Sequence, residues 1–320
     1  MSTETPSETK PEAPKGLFEK IGAALPVGLT ALATVFAGMS TGALQQAMYW
    51  KSQAAQDQSR ATNQWSLAGF KRDRALVMQT SAAQLRALAG YALPNFSSSS
   101  LPAFKLKPEE SSSDQKRKEL EERQAKALEW LQNKSVPPSP LPEVTDQQII
   151  VLQKAIDSRE PETELVKLAA KVKHSSINKA IDDAEKKSEQ YDKEWSPIIN
   201  VATEIASYVD GSKTDKDTRT ARQAGGYDLE ERRYRAESRL NQGIGYLYEI
   251  KVKVSSAESD KHRRKSEHFF YAMLAAQVGA TVSALALARR TKNVLWLFAA
   301  TIGLVSIGIG AYVFLESYIP

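Results

Sequence analysis

The stretch KHRRKSEHFFYAMLAAQVGATVSALALARRTKN, residues 261–293, decides how this chain is read. Phe269 to Ala288 carries no charge. Lys261, Arg263, Arg264 and Lys265 precede it, and Arg289, Arg290 and Lys292 follow it. A helix rises about 1.5 Å per residue, so roughly 20 apolar residues cross the hydrocarbon of a bilayer. Backbone polar groups find no water there, which forces such a run to be helical. Residues 269–288 therefore read as a transmembrane helix. Both basic clusters favour the cytoplasmic face, and one helix cannot deliver both ends to it.

Working outward, two more uncharged runs appear. Ile21 to Trp50 lies between Lys20 and Lys51, and Asn293 to Leu315 lies between Lys292 and Glu316. They predict transmembrane helices over 21–44 and 293–315, with 1–20 a disordered tail. The first run is longer than the roughly 7–15 apolar residues of a signal peptide, so it reads as a retained span. Only Arg289-Arg290-Thr291-Lys292 separates the second span from the third, which makes them an antiparallel hairpin.

The charges concentrate between the spans. The 43 basic and 38 acidic residues leave a net charge of only +5. A mean hydropathy of −0.42 thus averages apolar ends with a charged middle. The two signs are interleaved, whereas a nucleic-acid footprint needs a clustered basic face, so no nucleic-acid partner is expected. The chain has no cysteine, which excludes disulfides, thiolate metal sites and thiol nucleophiles.

The pattern of the middle, 45–268, is helical. Ala47, Trp50, Ala54, Ala61, Trp65 and Ala68 recur mostly three, four or seven apart, one face of a helix leaving the first span. Trp50 and Trp65 are the expected interhelical packing residues. PNFSSSSLPAFKLKPEESSSD (94–114) interrupts the pattern. Asp114 then opens a helix with Leu120, Ala127, Leu128 and Leu131 on one face, and Glu119–Arg123 and Glu122–Lys126 as i,i+4 pairs. A second Pro-rich linker follows near 134–144. Thr145-x-x-Gln148 reads as a capping box. Pro161 suits a helix start before Leu165, Leu168, Ala169 and Val172. Residues 211–226 read as a polar loop. Leu240, Ile244, Leu247 and Val254 mark a final helix running into the second span. No period-two pattern of any length occurs. The expected fold class is all-α: an N-terminal transmembrane helix and a C-terminal transmembrane hairpin, with a long helical, partly coiled-coil-like extramembrane domain.

Several motifs could carry chemistry. Gly38-Met39-Ser40-Thr41-Gly42 spells G-x-S-x-G, but a nucleophile elbow needs a strand-turn-helix that a spanning run cannot supply. Gly38 and Gly42 read better as a small-residue face for close helix packing, as do Gly279 with Ser283, and Gly303, Ser306, Gly308 and Gly310. His262, Glu267 and His268 match no standard ligand spacing and sit among Arg263, Arg264 and Lys265, which repel a cation. Gly211-Ser212-Lys213-Thr214 lacks the leading glycine and strand of a P-loop. No Asp, Glu, Lys or Arg falls inside a span, so no ion relay of the transporter kind is expected. Lys261, Arg263, Arg264, Lys265, Arg289, Arg290 and Lys292 are expected at lipid headgroups. No catalytic residue, cofactor, metal or small-molecule substrate is expected.

Orientation rests on the third span, which has three basic residues before it and none after. That places the hairpin turn and the N-terminus in the cytoplasm and the middle domain outside. Long segments translocate largely regardless of charge, so residues 261–265 do not veto this arrangement.

Two blocks carry a resemblance. Residues 43–76 contain Asn63-Gln64-Trp65 followed by Phe70-Lys71, and residues 262–308 contain the basic segment and hairpin. Together they resemble the bacterial membrane family of the domain of unknown function 4337, although residues 90–240 are longer than expected for it. The resemblance implies three spans and a helical extramembrane part, and it implies no activity. The expectation is a non-enzymatic integral protein of the bacterial inner membrane, an oligomeric helical scaffold or partner-binding protein whose partners are lipid and either its own copies or another protein. The alternative is a pore or channel.

Overall fold

The computed structural model describes residues 17–89, 114–133, 144–207, 216–288 and 294–316. Their regular elements are all helices: α1 (Leu17–Leu88), α2 (Asp114–Asn133), α3 (Gln147–Asp157), α4 (Glu162–Ala169), α5 (His174–Ser207), α6 (Lys216–Ala288) and α7 (Val294–Glu316). They divide into two compact units. One contains residues 1–52 and 256–320, the other residues 53–255. Three helices, α1, α6 and α7, are long and apolar enough to cross a membrane.

In the 53–255 unit, α1 buries one alanine per heptad: Ala54, Ala61, Ala68, Ala75 and Ala82, followed by Ala89. A strict seven-residue repeat keeps one stripe turned toward a partner helix, and alanine lets the two backbones approach closely. The partner is α6. Its Ser238 hydroxyl donates to the Ala68 carbonyl at 2.8 Å. Trp65 of α1 lies over Gly245, where a Cβ would stand only 3.2 Å from the indole Nε1. That Nε1 donates to Glu249 at 2.8 Å, and the indole meets Tyr246 edge-on at 4.8 Å. Glycine at position 245 lets the indole approach this closely, and a side chain there would make the ring shift by a few tenths of an ångström.

Charges flank the alanine stripe. Asp57 is fully buried, and the Lys251 ammonium lies 3.2 Å from its Oδ1 as an ion pair outside hydrogen-bond alignment. Glu237, also buried, accepts from Lys71 of α1 and from Arg233 at 2.5 Å. Arg86 pairs with Asp228, and Arg74 stacks on Phe70 at 4.8 Å while its guanidinium donates to the Tyr234 hydroxyl at 3.3 Å.

Helix α5 runs antiparallel to α6. The Tyr248 hydroxyl donates to Glu185 at 2.9 Å, and the Thr203 hydroxyl donates to Glu230 at 3.4 Å. Its apolar face also takes in α2, through a cluster that includes Ala127, Trp130, Ile198, Ala202, Ile205 and Leu229. Trp130 and Trp195 meet there with ring centroids 4.8 Å apart. Ile149 and Leu152 of α3 and Leu165 and Ala169 of α4 are likewise buried.

Several boundaries differ from the sequence expectation. Helix α1 starts at Leu17, so residues 17–20 belong to it and not to a tail. The cap of α3 is Asp146 in place of Thr145: its carboxylate accepts from the Gln148 N–H at 2.9 Å, the shorter reach to a free N–H. Its carboxyl is held below the ordinary value, first by the Ser176 hydroxyl and then by that N–H. Pro161 caps α4, which ends at Ala169, and Val172 is buried beyond the helix end. Residues 216–226 are helical where a loop was expected, because Ala221 and Ala224 are buried and extend the packed face of α6. Residues 1–16, the linkers at 90–113 and 134–143, and residues 208–215 lie outside the described residues.

Two tyrosines report on this packing. Burial is the first cause that lifts both the Tyr191 and the Tyr248 phenols from 10.0 to about 12, with Glu237 and Glu185 adding to it respectively. A raised folded pKa means stability is intact below the unfolded value and is lost as pH climbs through the folded one. Unfolding followed by circular dichroism is therefore expected to become easier from about pH 10 to about pH 12, and less steeply in a Tyr191→Phe/Tyr248→Phe variant. Replacing Glu237 by Ala strands two cations side by side and is expected to lower stability by about 2 kcal/mol, given that Lys71 is partly solvated. Thermal melting of the full chain in detergent measures the loss.

Candidate functional site: the apolar three-helix unit

In the unit of residues 1–52 and 256–320, serine hydroxyls bring helix backbones together. Ser40 Oγ donates to the Ser266 carbonyl, and Ser266 Oγ donates to the Ser40 carbonyl, each at 2.9 Å. Ser259 Oγ donates to the Ala47 carbonyl at 2.8 Å. The partners advance in opposite directions, so α1 and α6 are antiparallel. Ser306 Oγ of α7 donates to the Ala272 carbonyl at 2.7 Å, which ties α7 to α6. A hydroxyl seated on a neighbouring helix is satisfied without water, as an apolar surround demands.

Two side chains of α1 act as knobs. Leu29 fits against Gly279 and Gly303, whose absent Cβ atoms would stand 3.1 and 3.0 Å from its methyls. Phe36 stacks on Phe269 at 6.3 Å, and a Cβ on Gly310 would overlap the Phe36 ring. Ala272 and Val313 complete that cluster. The remaining threonines are self-sufficient: Thr30, Thr34, Thr41, Thr281 and Thr301 each donate to the carbonyl four residues earlier. Leucines and valines cover the outside, with Val294 81% and Leu297 73% exposed. Water would penalise that much bare hydrocarbon, whereas acyl chains would not.

The residues singled out by sequence separate into three groups. Gly279, Ser283, Gly303, Ser306 and Gly310 are buried, and the three glycines among them receive Leu29 or Phe36. Gly38, Gly42 and Gly308 do not pack on a helix of this chain: all three are exposed, with nothing within 4 Å of an added Cβ. The reason is angular. Helix α1 turns Ala33, Phe36 and Ser40 inward, and Gly38, two residues from each of the latter, points about 200° away. Trp50 is half-buried and meets Tyr49 edge-on at 5.3 Å, and Trp65 packs on α6 in the other unit as described.

Lys261, Arg263 and Arg264 are exposed and Lys265 is half-buried. Glu258 stands 3.8 Å from Lys261, and Glu267 stands 3.5 Å from Arg263, so acidic neighbours offset part of the cluster. The contacts Ser40–Ser266 and Ala47–Ser259 bracket this basic run against residues 41–46 of α1. His262 is 3.9 Å from Glu258, and His268 meets the Tyr312 ring edge-on at 6.4 Å. Arg289, Arg290 and Lys292 lie outside the described residues. Sequence reasoning missed Leu29, Phe36, Ser40 and Ser266 as packing residues, and the heptad phase relating Ser40 to Ala47, Ala54 and Ala61 is the signal that could have found Ser40.

No family model, curated protein or solved structure matches this chain.

Gly310→Leu is expected to destabilise the full chain in detergent by about 1–3 kcal/mol, because Phe36 has to leave its site. Gly308→Leu, directed into open space, is expected to leave the melting temperature unchanged.

Proposed function

We propose that this protein is a non-enzymatic, membrane-anchored helical scaffold or partner-binding protein of the bacterial inner membrane. It works as a homo-oligomer or with a protein partner, and it belongs with the bacterial membrane family of the domain of unknown function 4337. The observation that carries the reading is the division of labour between the two units. One turns leucine and valine outward and keeps its hydroxyls on neighbouring backbones. The other uses two buried carboxylates, Asp57 and Glu237, in ion pairs that join two helices. Ions committed in this way hold a shape and leave little for turnover. In this reading the N-terminus and the 289–292 turn face the cytoplasm, the charged unit faces the periplasm, and Lys261, Arg263, Arg264 and Lys265 meet lipid headgroups with Arg289, Arg290 and Lys292 at the opposite leaflet.

Light scattering of the purified full chain in detergent is expected to give more than one copy per particle, or a co-purifying protein. Proteoliposomes are expected to show no ion flux above empty vesicles. A lone monomer without partner, or a sustained conductance that Gly310→Leu removes, would reject the scaffold, and the conductance would establish a pore. In the cysteine-free background, an engineered Ser212→Cys is expected to react with an impermeant maleimide in cells whose outer membrane alone is opened, and Thr291→Cys only after lysis. The reverse pattern would invert the orientation.

A further inference from the structure

Gln277 is the only side-chain amide within the three apolar runs 21–44, 269–288 and 294–315. The serine and threonine hydroxyls of these runs all donate to carbonyls, either on a neighbouring helix or on their own. Thr281 even uses the backbone oxygen of Gln277, at 2.9 Å. The Gln277 side chain differs. It is exposed, and its amide makes no hydrogen bond among the described residues. It lies about 12 Å along the helix from Phe269 and about 16 Å from Ala288, too deep to reach water at either end of the run. Phe270, Leu274, Val278 and Leu285 are exposed around it. Hydrocarbon offers an amide neither donor nor acceptor, so a bare amide at this depth is costly.

Gln277 also lies in a seam. Phe270, Leu274, Gln277, Thr281, Ala284 and Ala288 step along α6 by four and three residues in turn, and all are exposed. This is the spacing with which two helices mesh. The opposite side of α6 buries Ala272, Ala276, Gly279 and Ser283, so the seam is the side that the chain leaves open. Thr281 has its hydroxyl turned to its own backbone, and Ala284 and Ala288 are small, which lets a second helix come close. The same steps lead back to Glu267 and Arg263, both exposed.

Copies inserted in one bilayer share an orientation. Two α6 helices meeting along this seam therefore run parallel, with residues of the same number level. A two-fold contact needs a surface that is its own complement. An amide qualifies, since it carries both donors and an acceptor. Arg263 and Glu267 qualify as well: they stand 3.5 Å apart on one helix and can exchange partners across the seam. We propose that this face of α6 is the contact between two copies of the chain, locked inside the membrane by reciprocal hydrogen bonds between their Gln277 amides. The contact rests on the reading of this protein as a membrane-anchored homo-oligomer and names where its copies meet. A single polar side chain in an apolar seam also fixes the alignment of the two helices.

Single cysteines in the cysteine-free chain test the face in native membranes. On oxidation with copper phenanthroline, Leu274→Cys, Thr281→Cys and Ala284→Cys are expected to give disulfide-linked dimers. Tyr271→Cys and Val278→Cys are also exposed, but each is turned about 100° from a seam residue, and their yield is expected below about a tenth of that. Adding Gln277→Leu is expected to cut the cross-linking by about fivefold or more, and Gln277→Asn to preserve it. Light scattering of the same variants in detergent is expected to follow the same order. Equal yields on and off the seam, or yields that Gln277→Leu leaves unchanged, would refute the contact. Particles of several copies without a cross-link at the seam would refute it too and leave the oligomer standing. A monomer by both measurements would overturn the contact and the oligomer together.

Discussion

Close approach of antiparallel helix backbones is the constraint on which each unit depends. Small residues allow it and serine hydroxyls mark it. Ser238 in one unit, and Ser40, Ser259, Ser266 and Ser306 in the other, each donate to a carbonyl of the facing helix. A helix carbonyl already accepts one bond from its own helix and has a lone pair to spare, so a hydroxyl can seat there without unwinding anything. Larger residues at these positions would hold the backbones apart and remove both the bond and the packing. The alanine stripe of α1 and the glycines of α6 and α7 thus make little apolar contact individually. They make the contact of everything else geometrically possible.

The two units solve the same packing problem for different surroundings. In the apolar unit hydroxyls turn to backbone carbonyls and leucines face outward, an arrangement suited to a surround without water. Bulky knobs, Leu29 and Phe36, then fill the notches left by Gly279, Gly303 and Gly310. In the charged unit, ions stand beside the small-residue stripe where their partners reach across. Trp65 over Gly245 is the counterpart in the charged unit of Phe36 against Gly310: a ring fills the space a missing side chain leaves. The difference is that the indole also has an acid to bond, Glu249.

Much of this was legible in order. The three uncharged runs named the apolar helices, because lipid admits no other structure of that length. Gly303 and Gly310 of the third span and Trp65 announced themselves by type and spacing. Gly38, Gly42 and Gly308 had the same composition and spacing yet face open space. Spacing says that two small residues share a side of a helix, and it does not say which side the neighbour occupies. The helical start at Lys216 was hidden because Gly225 and Gly226 read as a loop, while burial of Ala221 and Ala224 outweighs their low propensity. Asp57 is one of 38 acidic residues, and nothing in the sequence around it marks it out. Its burial opposite Lys251 could not be seen without the register of two segments nearly 200 residues apart.

Sequence by itself determined the helices and which of them prefer hydrocarbon, because backbone satisfaction and transfer energy are local sums over a run of residues. It also determined the heptad of alanines that makes a close pair possible. Only the tertiary structure decided the register, the inward face of each helix and the fate of each charge. Those depend on which residues of two distant segments stand opposite one another, as Trp65 does with Gly245 and Asp57 with Lys251, and a repeat of seven on one helix does not name its partners on the other.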